Sequence, residues 1–296
     1  MILIENEHLQ ALFTAHGAEL VSLKSTHNQK EYLWQGDPEY WNGHSPILFP
    51  ITGGLWNGET RIDGTVYRIP KHGFVQKQVW DVETVGPDHV TFVHSVTDEE
   101  SKVFPYNYTV RVAYSFDENK LVAHFEVENR GDKPMYFQMG GHPAIALPDF
   151  QPGSKADGFL QLEGKPTHLL RAGEQGCIEM DGETPAHFDI PADKDGLVPV
   201  CEPTFANEAL IFDEQLSGAL VLNLKHQPLA RVTSSAPVWL FWSPQGKQSP
   251  FVCLEPWYGL PDLQHFSGPI EQRAYIQKAD PKAVWQGYYA VEIFHN

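Results

Sequence analysis

Two residues that stand directly before proline carry side chains able to act as an acid–base pair: Glu255 in Phe251-Val-Cys-Leu-Glu-Pro-Trp257, and His142 in Gly140-Gly-His-Pro143. A residue before proline is sterically pushed into an extended conformation. Stiff support is what an acid–base pair needs, because small misplacements cost rate steeply. Strand alternation sends Phe251, Cys253, Glu255 and Trp257 to one face and Val252 and Leu254 to the other. The carboxylate is then in line with aromatics and a thiol, where leaving water costs several kcal/mol unless a partner compensates it. The alternative is a strand that ends here, with Glu255 on its solvated rim. His72, in Pro70-Lys-His-Gly-Phe74, also adjoins glycine, which lets backbone or ligand approach closely. In the competing reading these glycines serve turns alone. The charge of Glu255 is expected to favour a protonated His142. Most of the 14 histidines, including His27, His89, His226 and His295, lie in polar surroundings and read as surface.

Other chemistries find no support in the chain. There is no G-x-S-x-G, Walker-type loop or H-E-x-x-H. The pair Gly53-Gly54 is too short for a dinucleotide fingerprint. Cys253 lies two residues from a carboxylate that opposes thiolate formation, so it reads as packing. No metal, nucleotide or redox cofactor is expected. The formal net charge of −17 repels phosphate backbones and anionic lipid, which disfavours nucleic acid and membrane surfaces, and neither is expected as a partner. Three widely spaced cysteines suit a reducing compartment, and Met1-Ile-Leu-Ile-Glu5 lacks the basic start of a signal peptide. The expectation is a cytoplasmic protein, monomer or homodimer.

The elements that must position these residues are strands. Tyr106, Tyr108, Val110, Val112, Tyr114 and Phe116 alternate with mostly polar residues, and Leu121, Ala123, Phe125 and Val127 run back against them after Asp117-Glu-Asn119. Asp63-Gly64, between Glu59 and Ile69, is a two-residue hairpin signal. Residues 38–58 read as long structured loops rich in Gly, Pro and Asn. No amphipathic helix of ten residues is present; Asp98 to Val103 could form a turn or two. Many short strands with turn signals predict an all-β fold, a large antiparallel sandwich or barrel in a single domain over residues 1–296.

In order along the chain come Gly17-Ala-Glu-Leu-Val-Ser-Leu23, Phe49-Pro-Ile51, Asn57-Gly58, His72-Gly-Phe74, Gly141-His-Pro143 and Cys253-Leu-Glu-Pro-Trp257 with Pro261-Asp262. Through this series the whole chain resembles the aldose 1-epimerase (mutarotase) family, and is most similar to a divergent bacterial branch encoded with lactose-utilisation genes. The resemblance implies a galactose mutarotase-like β-sandwich that binds a sugar on a concave sheet face. It implies Glu255 as general base and His142 as general acid, with His72 as a sugar-binding residue. Glu208 stands near the place of an acidic residue, usually aspartate, that bonds sugar hydroxyls. Trp257, Tyr258, Trp41 and Trp56 are candidate walls for the sugar's apolar face. Members of the family usually carry an arginine shortly after Phe-Pro; here Gly54 stands in that place, with Arg61 or Lys71 as possible substitutes. The implied activity is anomer interconversion of a free aldose such as galactose or glucose. A hexose-6-phosphate 1-epimerase is the alternative, lacking cations in the Phe49 to Gly58 loop, and a non-catalytic sugar-binding protein of the same fold is the third.

Overall fold

Alternation is the strongest local signal in the chain, and it governs the strands Tyr108–Asp117 and Lys120–Asn129. Tyr108, Val110, Val112 and Tyr114 of the first are buried, as are Leu121, Ala123, Phe125 and Val127 of the second. The register sets Phe125 opposite Val112 and Val127 opposite Val110, so the inward residues pack as cross-strand pairs. In this computed structural model, which describes residues 1–213 and 215–295, both strands belong to a nine-stranded antiparallel sheet. Its order is Val198–Val200, Gly158–Gly164, Leu216–Leu222, Pro228–Ser234, Val284–Ile293, Lys120–Asn129, Tyr108–Asp117, His89–Ser95 and Asp81–Val85.

A second antiparallel sheet carries the chemistry. It runs Leu210–Phe212, Val238–Trp242, Phe251–Tyr258, Met139–Gly141 and Ile47–Leu48, with Ala144–Ala146 also paired to Phe251–Tyr258. Every residue of Phe251–Tyr258 is buried. Val252, Leu254 and Tyr258 join an apolar core whose members extend from Ile4 to Ile293. Cys253, Phe251 and Trp257 face the other way, among separate smaller clusters. The sheet is therefore apolar on both faces, which is why its central strand reads as a nearly continuous hydrophobic run.

The hairpin at Asp63-Gly64 forms as expected: Ile62 pairs with Thr65, and both turn residues have positive φ, 49° and 78°. The one α-helix among the described residues is Asp98–Ser101, closed by a capping box between Thr97 and Glu100. Among the described residues, no helix is long and apolar enough to cross a membrane.

Candidate active site

Glu255 lies inside a strand, not at its end, and is 1% exposed, so the rim reading is overturned. Proline at 256 is tolerated in a central strand because the neighbouring chain breaks opposite it. Gly140 pairs with Trp257 and Ala144 pairs with Cys253. The interval His142-Pro143 between these two short strands interrupts the ladder, closed only by the Leu254 N–H donating to Pro143 O at 3.0 Å. Continuing the register from both sides sets His142 directly across from Glu255. Cross-strand neighbours on one face are the closest side-chain pairs a sheet offers, and His142 Nε2 accordingly lies 3.1 Å from Glu255 Oε1.

That approach is short but misaligned. Among the described residues, neither Glu255 oxygen has a hydrogen-bond partner, nor do His142 Nδ1 and the Trp257 indole N–H. Proximity of that indole favours the carboxylate form without completing a hydrogen bond. Burial pushes the Glu255 carboxyl well above its ordinary range, opposed by the ammonium of Lys71. Burial also brings the His142 imidazole down to about 3. Burial thus opposes the expectation that the Glu255 charge holds His142 as an imidazolium in the free protein. Desolvation penalises both charged forms, which favours a pair that shares one proton.

His72 reaches the same place from a loop. Its Nδ1 accepts the Gly53 N–H at 3.1 Å, and its own N–H donates to Gly53 O at 2.9 Å. An accepting Nδ1 carries no proton, so the ring is neutral and its Nε2–H is the donor left for a ligand. Burial, with the neighbouring His142 and Lys71, holds this imidazole well below its usual range. The loop can approach so closely because residue 73 is glycine. It has φ +73°, and a Cβ there would fall 2.0 Å from Phe49 O. The His72 ring stands edge-on to both His142 (5.8 Å) and Trp257 (5.5 Å).

These residues open onto a cavity of about 540 Å³, of the size that takes a small ligand. His72, His142, Glu255, Trp257 and Glu208 all line it. Glu208 does so from a left-handed backbone, φ 66°, just before the edge strand Leu210–Phe212. Trp41 also lines it, stacked on the His142 ring at 4.9 Å and 25°. Tyr258 does not: it points into the core, where its hydroxyl meets Ser235 and the Tyr288 carbonyl, because strand alternation puts residue 258 opposite to 257. Trp56 packs edge-on against His265 instead. Trp242 was not singled out from sequence. It lies two residues along from Leu240, which pairs with Glu255, and so shares the cavity face.

The Gly54 departure has a structural cause. A Cβ on residue 54 would lie 2.6 Å from Gln175 O, so the turn Glu174–Gly176 occupies the space of any side chain there. Of the two candidate substitutes, Arg61 donates outward to Ser267 O, whereas Lys71 lines the cavity beside Gly176. Lys77 lines it as well, so cations absent from the Phe49 to Gly58 loop come from the next loop, facing Glu19, Glu208 and Glu255.

Asp262, noted in sequence only as part of a motif, anchors the wall. Arg273 Nε donates to its Oδ1 at 2.7 Å and Nη2 to its Oδ2 at 3.1 Å, both side chains almost fully buried. Asp262 Oδ2 also accepts the Trp56 N–H, and the backbone of Asp262 bonds Gly54 O and the Ile178 N–H. One buried ion pair thus ties together the three loops that shape the mouth.

His142, Cys253 and Glu255 place one possible ligand atom each within 4.8 Å of one another. Burial, followed by the Glu255 charge, pushes the Cys253 thiol well up, so it is a poor thiolate ligand and packs instead.

Comparison with known proteins agrees with this architecture. The family model for aldose 1-epimerase matches residues 1–296. The chromosomal protein LacX of Lactococcus lactis subsp. lactis is 29% identical over 99% of both chains. A galactose mutarotase related enzyme from Lactobacillus acidophilus superposes with a TM-score of 0.88 at 28% identity, covering 99% of this chain and 97% of that one. A galactose mutarotase-like protein from Lactobacillus casei ATCC 334 gives 0.86 at 29% identity, over 99% and 100%. With its two largest sheets and its cavity accounted for, the chain belongs to the aldose 1-epimerase family.

Proposed function

We propose that this protein interconverts the α and β anomers of a free aldose, such as galactose or glucose, with Glu255 and His142 as the catalytic pair. The observation that carries the reading is the set of buried polar atoms without partners beside the cavity: both Glu255 oxygens, His142 Nδ1 and Trp257 Nε1. Buried polar atoms are rarely left unpaired unless a ligand or water completes them, and a sugar ring offers hydroxyls together with an apolar face.

The reaction needs one proton removed and one supplied. Glu255 takes the proton of the C1 hydroxyl while His142 protonates the ring oxygen, and the C1–O5 bond breaks. Rotation about C1–C2 presents the other carbonyl face. On closure the ring oxygen returns its proton to His142 and Glu255 returns one to O1, so the pair ends as it began. Sugar hydroxyls donating to Glu255, with Lys71 nearby, favour the carboxylate and let the shared proton sit on His142. His72, with Nε2–H as donor, Glu208 and Trp257 are assigned to sugar binding, and Trp41 keeps the His142 ring in plane. A positioned acid or base each typically contributes about 10²–10⁴-fold.

A hexose 6-phosphate is the second reading, favoured by Lys71 and Lys77 in the cavity wall. Against it stand three carboxyl groups in the same wall and the chain's net charge of −17. Polarimetry on freshly dissolved α-glucose, α-galactose and glucose 6-phosphate, corrected for spontaneous anomerisation, separates them. A clear advantage for the free sugars is expected, and an advantage for the phosphate would promote the second reading. Sugar binding without any rate above background would instead make this a binding protein.

A further inference from the structure

Three histidines outside the cavity, two of them among those that read as plain surface, are brought together by the fold. His8 follows the turn after Ile2–Glu5, His27 lies in the turn after Glu19–Ser25, and His295 follows the last strand, Val284–Ile293. Ring centroids are 5.9 Å apart for His8 and His27, 5.1 Å for His27 and His295, and 6.4 Å for His8 and His295. One nitrogen from each ring lies within 4.8 Å of the other two.

The backbones beneath them are tied down. Asn6 Oδ1 accepts the N–H groups of His8 and Leu9 at 2.9 and 2.8 Å. The Thr26 N–H donates to His8 O at 3.0 Å and its hydroxyl to Glu7 O at 2.6 Å, joining the first turn to the second. Ser25 Oγ accepts the His27 N–H at 3.2 Å. Just before His295, Phe294 is held on both sides: its N–H donates to Leu229 O at 3.1 Å, and its carbonyl accepts the Tyr32 hydroxyl at 3.0 Å. Only the side chains need move.

We propose that His8, His27 and His295 form a surface site for a divalent transition-metal ion. Neutral imidazole is the commonest protein metal ligand, and a set of three nitrogens suits Zn²⁺, Ni²⁺ or Cu²⁺ rather than the oxygen-seeking Mg²⁺ or Ca²⁺. Ligand nitrogens at about 2.0–2.1 Å from tetrahedral zinc stand about 3.3 Å apart. The three rings must therefore close in by about 1.5 Å from the outer limit of 4.8 Å, a side-chain rotation available to the exposed His27 and His295. Glu7 Oε1, 3.3 Å from His8 Nε2, supplies a carboxylate at the edge that orients His8 or completes the coordination. The chain's charge of −17 adds a general attraction for cations. Such an ion would pin the segment after the last strand to two turns near the start of the chain.

The test is calorimetric titration of the untagged, metal-free chain with Zn²⁺, alongside His27→Gln, His295→Gln and, as a control on an exposed histidine outside the cluster, His89→Gln. The wild type and His89→Gln should take up one equivalent with equal affinity. A direct ligand is worth at least as much as the about 10–100-fold attributed to outer-shell partners, so each of the other two variants should bind at least about tenfold more weakly. Excess Zn²⁺ should raise the melting temperature of the wild type and not of His27→Gln. Sugar turnover should be the same in all four. Unchanged affinity in both His27→Gln and His295→Gln would overturn the proposal by placing the metal elsewhere, at His142, Cys253 and Glu255 above all. Absence of any binding would overturn it outright.

Discussion

Replacing Glu255 by methionine should make the protein more stable and nearly inactive. The carboxyl is 1% exposed and, among the described residues, neither oxygen has an aligned hydrogen bond, His142 Nε2 lying 3.1 Å away but misaligned, so the free protein carries a poorly compensated polar group at the centre of its second sheet. An unsatisfied buried group costs about 1–3 kcal/mol. Methionine has similar length and no polar demand, and repacking it costs less than about 1.5 kcal/mol. The net gain should be about 1–2 kcal/mol, or about 2–8 °C at 2–4 °C per kcal/mol for a chain of this class. The sign of the pH dependence follows from the raised carboxyl. A group whose folded pKa lies above its unfolded value of 4.5 imposes no penalty below that pH. The penalty grows as pH climbs from there toward the folded value. The advantage of Glu255→Met should therefore be small at pH 4.5 and larger at pH 7.5, measured by calorimetric melting of both proteins in matched buffers. Anomerisation should fall by about 10²–10⁴-fold, the usual worth of a positioned base. A melting temperature several degrees below wild type at pH 7.5 would mean that Glu255 is a paired structural acid and would refute the reasoning. Near-wild-type turnover would refute the base assignment independently.

Burial raises the Glu255 carboxyl and lowers His142 to about 3, so neither group titrates as an ordinary side chain. The kcat/KM profile, corrected for background, should thus be flat through pH 6.5 and fall on the acid side only near pH 3; an inflection near 6.5 would show an ordinary imidazolium instead. Lys71→Met should raise KM with little change in kcat, lowering kcat/KM by about 10–100-fold if its ammonium donates to the sugar, since charged hydrogen bonds contribute about 1.5–3 kcal/mol. An unaltered KM would remove Lys71 as stand-in for the missing arginine. Asp262→Ala leaves the buried Arg273 guanidinium without its partner and should cost about 3–5 kcal/mol, read from denaturant midpoints at constant m-value. A loss below about 1 kcal/mol would show that the loops hold without it.

Much of this protein is legible in its residues alone. Period-two alternation in Tyr108–Asp117 and Lys120–Asn129 sets strand, face and register together, because a slip of one residue would turn Val110, Val112 and Phe125 out to solvent. The positive φ angles at Asp63 and Gly64 are equally local, decided by two residues and a turn geometry. The types of the candidate pair, a carboxylate and an imidazole each before proline, were likewise readable. What those residues could not convey is that Glu255-Pro256 lies inside a strand, since a proline there is acceptable only when the neighbouring chain breaks at the same level, as His142-Pro143 does. The same holds for Lys71 and Trp242 in the cavity, and for the loop at Gln175 that denies residue 54 a side chain. It holds too for Arg273 beneath Asp262. Each depends on contacts between segments far apart in the chain. Local propensity carries no information about such contacts, because the burial that perturbs Glu255 and His142 exists only once both sheets and the loops at 54, 71 and 175 have closed around them.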